Sequence, residues 1–250
     1  MLDLDTFRRL FSSYTSDWDW QVEGFIDKKQ FVYPIDLDTK VISTIFERLS
    51  SPVINTIADA LDYSVEIANQ TTYPDFTLTH SDPSAHRIAI DIKTTYTSPR
   101  MLFTLGGYNS FLRNNTKNIL HPYSTYNEHW IIGFVYHQNA PFPVYSLANM
   151  PKPGQIDCPY NVSAVFVRHK HSISGLRAGS GNTKNIGSVI VNNPADFASV
   201  NGPFTNFRRA KDACDHYWRN YEVYIKDISR LEHLLIHPDF KQFEPENEKN

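Results

Sequence analysis

The chain has 250 residues, 14% of them aromatic, and a formal net charge of −3. This length allows one large or two small domains with a substantial core, and the aromatic content argues against a disordered protein. The small negative charge excludes a global positive field, so contacts to nucleic acid would depend on a local basic patch.

The cysteine content and the absence of targeting patterns narrow the class of protein. Two cysteines, Cys158 and Cys214, lie far apart in the sequence. They form neither a disulfide framework nor the Cys-x-x-Cys spacing of a zinc site, which is usual in a reducing compartment. The N-terminal residues do not follow the pattern of a signal peptide, and no apolar run is long enough for a membrane span. We therefore expect a soluble, cytoplasmic protein with no membrane partner.

Apolar residues at helical spacing predict two helical regions near the N-terminus. Those of the first region, which ends near residue 14, are Leu4, Phe7, Leu10 and Phe11. Residues 12–38 mix aromatic residues with short polar clusters, and we expect a small hairpin or irregular arm there. Asp38 is a favourable N-cap for the second helix, and Pro52 predicts that a further helical segment begins after Ser51.

Residues 73–95 predict a β-hairpin, because two alternating segments flank a turn rich in Ser, Asp and Pro. If the hairpin closes symmetrically about Pro83, paired residue numbers sum to 166. Asp75 then lies opposite Asp91, and alternation places Lys93 on the same face. Opposed carboxylates repel unless a cation lies between them. Mg²⁺ is the natural candidate, since it binds one or two carboxylates together with waters and phosphate oxygens.

The next segments alternate between polar and apolar composition. Residues 103–119 are rich in Gly, Asn, Ser and Thr, and predict a loop or short helix with many hydrogen-bond donors. Residues 130–136 are almost continuously apolar, which is typical of a buried strand, and residues 162–167 predict another strand. The proline-rich connection 137–160 is predicted to be poorly ordered.

Two motifs in the last third of the chain are compared with common binding sites. His169 and His171 are not accompanied by further ligands at suitable spacing, so we interpret them as surface residues. The glycine-rich segment 178–187 is not a P-loop, because Lys184 is not part of Gly-Lys-Ser/Thr, and it lacks the third glycine of a dinucleotide fingerprint. Two interpretations remain: a donor-rich loop that approaches a partner closely, and a long turn between strands. Helical spacing continues over residues 204–235, and the polar tail from residue 240 is predicted to fray.

The triplet Asp91-Ile92-Lys93 is interpreted together with the neighbouring predicted strand. Alone, such a triplet is usually an exposed polar face with a weak ion pair. The predicted register adds Asp75, which follows Pro74, to the same face as Asp91 and Lys93. These residues have the form of the PD-(D/E)xK nuclease motif, which is short and degenerate and indicates a superfamily only.

Four segments together (38–47, 73–97, 103–119 and 178–188) resemble the EcoRV-type type II restriction endonucleases. The resemblance spans about residues 33–136 and returns from 178 to 222. It implies an α/β (mixed α+β) fold with a central mixed sheet flanked by helices. It also implies a single domain over 1–250, with a dimerisation arm at about 15–38 and a DNA-recognition loop at about 177–188.

The resemblance also implies an activity and its partners. The implied activity is Mg²⁺-dependent cleavage of double-stranded DNA at the palindrome GATATC, which leaves blunt ends. The implied enzyme is a homodimer. A cognate DNA methyltransferase is expected as a genetic rather than a physical partner. Two alternatives stay open: a sequence-specific DNA-binding protein that no longer cuts, and a repair or structure-specific nuclease on the same fold.

Matching position by position assigns the catalytic residues. Asp75, Asp91 and Glu47 become metal-binding carboxylates, and Lys93 joins them as a catalytic residue. Glu47 lies on a polar stripe of the second helix that spacing alone would assign to solvated surface.

The expected DNA contacts fall into three groups. The recognition loop supplies Gly179, Ser180, Gly181, Asn182, Thr183, Lys184 and Asn185. A minor-groove loop supplies Asn69, Gln70 and Thr71. The remaining contacts are Thr39, Lys40, Ser43, Thr94, Ser110, Arg113, Asn115 and Lys117. Two departures stand out: Lys184 replaces a threonine of the family, and the minor-groove loop reads Asn-Gln-Thr instead of Gln-Gln-Asn.

Overall fold

The structure is a computed structural model that describes residues 2–82, 87–139, 144–179 and 184–246. The helices are α1 (Leu4–Tyr14), α2 (Thr39–Asp59), α3 (Lys170–Ile173), α4 (Ala210–Arg219), α5 (Tyr221–Tyr224) and α6 (Leu231–Ile236). The strands are β1 (Gly24–Ile26), β2 (Val32–Pro34), β3 (Tyr63–Ile67), β4 (Phe76–His80), β5 (Arg87–Tyr96), β6 (Thr104–Gly107), β7 (Tyr126–Gln138), β8 (Tyr160–His169), β9 (Ser174–Ala178) and β10 (Asn185–Ser188). A π-helical turn covers Tyr108–Leu112. Short 3-10 turns cover Tyr123–Thr125, Leu147–Asn149, Pro194–Ala198, Pro203–Asn206 and Pro238–Phe243.

A five-stranded sheet in the order β3-β4-β5-β7-β8 forms the centre of the fold. Strands β5 and β7 are parallel, and the other neighbours are antiparallel. β7 lies between β5 and β8, and its residues from Trp130 to Tyr136 are buried on both faces of the sheet, as their apolar run predicts. Helices flank this mixed sheet, so the predicted α/β class with a mixed sheet is confirmed.

Each face of the sheet supports a separate hydrophobic core. On one face, α1 and α2 pack against alternate strand residues such as Ile90 and Phe134, and Phe46 of α2 stacks on Phe134 at 4.4 Å between ring centroids. On the other face, α4 and the loops after β5 pack against Ala89 and Ile131. Because side chains alternate along a strand, β5 contributes isoleucines to the first core and leaves the second face for smaller and charged residues.

Two small sheets lie outside the central one. β1 pairs with β2 as an antiparallel hairpin, which confirms the predicted hairpin within the arm. β6, β10 and β9 form a three-stranded antiparallel sheet. The described ends of segment 178–187 lie on β9 and β10, and residues 180–183 lie outside the described part of the chain.

The predicted register of the central hairpin is confirmed. Phe76 pairs with Ile90, and Thr79 pairs with Arg87, so the numbers of paired residues sum to 166. The residue before β4 is Asp75, and this register places it next to Asp91. The hairpin's turn includes residues 83–86, which lie outside the described part of the chain.

Two predictions of helix extent were wrong. Pro52 does not begin a new helix but lies inside α2, which is continuous from residue 39 to 59 with Asp38 as its N-cap. Proline removes one backbone hydrogen bond there, and the buried apolar face that continues through Val53 and Ile57 compensates for it. The region 204–235 contains a 3-10 turn and three short helices instead of one long helix. None of the described helices has the length and apolar character that a membrane crossing requires.

The tail and the histidine pair also differ from their predictions. Residues 240–246 are docked: Phe240 and Phe243 are buried, and the Glu246 N–H donates to the Asn206 carbonyl at 2.7 Å. Two aromatic anchors therefore outweigh the polar composition of this segment. His169 and His171 are half-buried, with rings stacked at 4.9 Å, and His169 Nδ1 lies 3.0 Å from Glu128 Oε2, so the surface assignment was wrong.

Two segments contain more regular structure than predicted: residues 103–119, predicted as a loop or short helix, and 137–160, predicted to be poorly ordered. Residues 103–119 contain β6 and the π-helical turn, because Phe103, Leu105 and Phe111 are buried in the second core. Within 137–160, residues 140–143 lie outside the described part, and the stretch near Pro151 packs against the arm, where the Val32 N–H donates to the Pro151 carbonyl at 2.9 Å.

Candidate active site

Asp91 is the most deeply buried carboxylate of the predicted site. It lies in the middle of β5, and its side chain is 3% exposed on the face opposite Ile90 and Ile92. Lys93, two residues further on the same face, places its Nζ 2.6 Å from Asp91 Oδ2. This ion pair is the direct result of strand alternation, which aims every second side chain in the same direction.

Asp75 reaches the same place from the neighbouring strand. It follows the buried Pro74, and its Oδ2 accepts a hydrogen bond of 2.6 Å from the Ile92 N–H. This bond spans the gap between the two strands and fixes the Asp75 carboxylate beside β5. Burial raises the pKa of Asp75 well above its usual range, and the neighbouring Asp91 carboxylate raises it further.

The same cluster of carboxylates favours the charged form of Lys93. Burial works to lower the pKa of Lys93, but the Asp91 and Asp75 carboxylates outweigh it, so the pKa lies above its ordinary value. The side chain is therefore an ammonium at neutral pH. A cation held beside two carboxylates can donate hydrogen bonds to a water or to a phosphate oxygen without losing its position.

Glu47 belongs to the same electrostatic cluster, although α2 lies on the other side of the sheet. Burial raises the pKa of Glu47; Lys93 lowers it and Asp91 raises it. Successive turns of α2 aim Lys40, Ser43 and Glu47 in one direction, since they are three and four residues apart.

A cleft of about 450 Å³ joins several of the predicted groups. Its lining includes the α2 residues Lys40, Ser43 and Glu47, the turn Asn69, Gln70 and Thr71, and Asp75. The turn is exposed between β3 and β4, and Thr71 adopts a left-handed conformation with φ 71°. The cleft thus brings the expected minor-groove loop and two of the predicted carboxylates, Glu47 and Asp75, to a common surface. Arg48 also lines it, and sequence reasoning missed this residue because its only signal is a basic side chain beside Glu47.

Other predicted DNA contacts have partners within the chain. Arg113 forms an ion pair with Glu222 and donates to the Arg219 carbonyl at 2.8 Å. The Asn115 amide donates to Ser124 Oγ at 3.2 Å. Ser110 Oγ donates to the Gly107 carbonyl at 3.0 Å. These contacts stabilise the segment after β6. Three further predicted contacts, Thr39, Thr94 and Lys117, do not line the cleft.

The ends of the predicted recognition loop are held firmly. Ser180, Gly181, Asn182 and Thr183 lie outside the described part of the chain. The Gly179 N–H donates to the Asn185 carbonyl at 2.9 Å, and the Tyr108 N–H donates to the Lys184 carbonyl at 3.1 Å. The Ala178 N–H donates to the Tyr221 hydroxyl at 3.1 Å. The described ends of the loop are therefore fixed next to the segment that follows β6.

The donor chemistry of the site fits a hard divalent cation. Asp75 and Asp91 offer carboxylate oxygens, which Mg²⁺ prefers, and their mutual repulsion would fall if a cation lay between them. The described residues contain no group of three or more His, Cys, Asp or Glu side chains arranged to enclose a metal. Two carboxylates with waters and a substrate phosphate complete a magnesium shell without such an enclosure.

Comparison with known proteins agrees with this geometry. A family model described as "Restriction endonuclease EcoRV" matches residues 16–243. The type II restriction enzyme EcoRV of Escherichia coli is 45% identical over 220 residues, which are 84% of this chain and 85% of that enzyme. The chain belongs to the EcoRV restriction endonuclease family. It is therefore a type II restriction endonuclease, a hydrolase that acts on double-stranded DNA, and enzymes of this family use divalent metal ions.

Asp75→Asn is expected to stabilise the metal-free enzyme at pH 7. Burial and Asp91 raise the folded-state pKa of Asp75. Between the unfolded and folded pKa values, the folded protein therefore binds more protons than the unfolded chain, and its stability falls as pH rises. Asparagine removes this penalty, and its Oδ1 still accepts from the Ile92 N–H. Urea denaturation in EDTA should show a higher midpoint for the variant at pH 7 and no advantage below about pH 4.

A matched control for this variant is Asp227→Asn, which changes an exposed aspartate outside the cluster and outside the arm. Its denaturation midpoint should equal that of the wild type at both pH values. A lower midpoint for Asp75→Asn at pH 7 would contradict the destabilised state assigned to this carboxylate.

Proposed function

We propose that this enzyme cleaves both strands of GATATC with Mg²⁺ and leaves blunt ends. The observation that carries the proposal is the convergence of Asp75, Asp91 and Lys93 across the β4–β5 register. Family membership supports the same chemistry. In this proposal a DNA methyltransferase of the same specificity protects the cell's own sites, as a genetic rather than a physical partner.

We assign the metal to Asp75 and Asp91, with Glu47 as an auxiliary ligand. When bound, Mg²⁺ would neutralise charge on the scissile phosphate and acidify a water. Lys93, an ammonium held against Asp91, orients the attacking water or stabilises the negative charge that develops on the phosphate. Glu47 extends the cluster from α2, and burial raises the pKa of its carboxyl.

The proposed DNA contacts divide between phosphates and bases. Lys40 and Ser43 line the cleft beside Asp75, which favours phosphate contacts close to the bond that is cut. The exposed turn at Asn69–Thr71 would approach the minor groove. The amide and hydroxyl side chains of residues 179–185 supply the donors and acceptors that distinguish base edges in the major groove.

The proposed recognition sequence depends on the loop from Gly179 to Asn185. Six of its seven residues match the family, the exception being Lys184. Each lost base contact costs about 1–3 kcal/mol, so a conserved set of readers favours the same outer base pairs. The central TA step is easily kinked and can be read through bending, without identical side chains at Asn69–Thr71.

Digestion of a plasmid that carries a single GATATC tests the sequence and the position of the cut. With Mg²⁺ we expect one linear product whose sequenced ends are blunt and lie at the centre of the site. A plasmid in which this site is changed by one base pair is the control and should stay uncut. Staggered ends, or cutting at another hexamer, would contradict the proposed specificity. Sequence-independent nicking would instead indicate a structure-specific nuclease.

Substitution of the cluster tests the assigned roles. Asp91→Ala and Lys93→Ala should each lower the cleavage rate by roughly a thousandfold or more, because each removes charge stabilisation of the transition state. Both variants should still bind a GATATC duplex, since most proposed DNA contacts lie elsewhere. Glu47→Ala should be milder, with a loss of about tenfold, as for a supporting ligand.

The control for these variants is Asp59→Ala at the exposed end of α2, which should cut at the wild-type rate. Single-turnover cleavage and duplex binding are measured for the four variants and the wild type. If Asp91→Ala or Lys93→Ala cuts within a few-fold of the wild type, the assigned cluster is wrong.

We also propose that the enzyme is a homodimer formed through the arm. A palindrome has two-fold symmetry, and two symmetric copies place one active site on each strand. The β1–β2 hairpin exposes large apolar side chains, with Phe25 57%, Ile26 56% and Tyr33 46% exposed. Its other side packs on the chain near Lys152, whose Nζ lies 3.7 Å from the Phe31 ring centroid. A supported hairpin with an uncovered apolar side fits an interface with a second copy.

Sedimentation at micromolar concentration should report about twice the 28.8 kDa mass of the chain. Phe25→Asp should shift the enzyme towards monomer, because it places a charge in the proposed interface. Ile236→Asp changes an equally exposed apolar residue away from the arm and should leave the mass unchanged. A wild-type monomer, with and without GATATC duplex, would refute the dimer.

A further inference from the structure

Lys170 is a buried cation that the assigned chemistry does not use. It begins α3, is 4% exposed, and its Nζ has no hydrogen-bond partner among the described residues. The Nζ lies 4.8 Å from the ring centroid of Tyr73 and 4.7 Å from that of Phe111. Burying a cation that no anion or carbonyl contacts is costly, so this position needs a reason.

The two rings beside Lys170 are connected to the active site. Tyr73 stacks on Phe111 with 4.2 Å between ring centroids and an interplanar angle of 16°. The Tyr73 hydroxyl is hydrogen-bonded to His129 Nδ1 at 2.7 Å. Tyr73 precedes Asp75 by two residues, so the contacts that hold its ring also fix the chain from which the Asp75 carboxylate projects.

The space around the ammonium is formed by the backbone of β6. Gly106 has φ 96°, a conformation that favours glycine. A Cβ at this position would lie 3.1 Å from the Phe111 ring and 3.9 Å from Lys170 Nζ. The absence of a side chain at this position therefore leaves room for the ring and the cation together.

The charge of Lys170 lies on the catalytic face of the sheet. The Tyr73 and Phe111 rings that Lys170 contacts belong to the core that includes Ala89 and Ile131, and alternation along β5 places Asp91 on the same face as Ala89. Burial lowers the pKa of Lys170 to about 8, while the Asp91 and Asp215 carboxylates raise it. The side chain therefore keeps most of its charge at pH 7, behind the carboxylate pair.

We propose that Lys170 is a positioning residue for the carboxylate pair. Its ammonium, held against the faces of both rings, fixes the Tyr73–Phe111 stack and so the segment that carries Asp75. This inference rests on the proposed function of those two carboxylates. The proposed role explains why a buried cation without a hydrogen-bond partner among the described residues is present despite its energetic cost, because costly groups persist where activity requires them.

Lys170→Met separates this role from a structural one, because methionine keeps the length of the side chain and removes its charge. We expect the urea midpoint of the metal-free variant to be unchanged or higher, and its affinity for a GATATC duplex with Ca²⁺ in place of Mg²⁺ to stay within about twofold. The single-turnover cleavage rate should fall at least about tenfold, since small misplacements of reacting groups are costly. Lys170→Arg, which keeps the charge, should retain more of the rate than Lys170→Met.

Lys211→Met is the matched control. Lys211 also lies near an aromatic ring of the same core, with its Nζ 5.4 Å from the Tyr123 centroid, but it is ion-paired to Asp215 at 3.1 Å. Its removal should leave the cleavage rate within about threefold of the wild type.

Three outcomes would overturn the inference. One is a wild-type rate in Lys170→Met, and another is an equal loss in the arginine and methionine variants. The third is a loss of stability and DNA affinity in parallel with the rate, which would make Lys170 a packing residue. Asp91→Ala is measured beside them: if it cuts, the proposed function fails. If it is inactive while Lys170→Met cuts normally, only the role of Lys170 fails.

Discussion

The repulsion between two carboxylates on adjacent strands is the constraint on which the rest of the site depends. Asp75 and Asp91 are brought together by the β4–β5 register, and the hydrogen bond from the Ile92 N–H holds Asp75 in place. Lys93 offsets part of the negative charge through its ion pair with Asp91. A cluster of this kind is poorly stable by itself, and it becomes useful when a divalent cation and a phosphate complete it.

The central sheet supports this cluster because one face of β5 packs in a hydrophobic core and the opposite face carries Asp91 and Lys93. Isoleucines of β5 pack on one face against α1 and α2, and the alternate residues of the same strand face the second core. A change of one residue in register would exchange the two faces and bury the wrong side chains. Stability and the proposed activity therefore depend on the same ten-residue strand.

The groups proposed to contact DNA lie on elements outside the centre of the sheet. The turn between β3 and β4 lines the cleft beside Asp75, and the β9–β10 pair presents the predicted recognition loop. The π-helical turn lies between these regions: its Tyr108 holds the end of the recognition loop, and its Phe111 stacks on Tyr73. Binding surfaces on loops and catalytic groups on a packed sheet are a common division, because loops adapt to a partner and strands hold geometry.

Local sequence determined those features that depend on alternation, capping and turn chemistry. Strand alternation and a symmetric turn predicted the register that joins Asp75 to Asp91, and Asp38 marked the start of α2. Only tertiary structure decided that α2 continues through Pro52 and that the polar tail is docked, because both outcomes depend on apolar contacts with distant residues. Lys170 is the clearest case. Its sequence neighbours are basic and polar, and its burial beside Tyr73 follows from the packing of segments about one hundred residues apart, which no local pattern encodes.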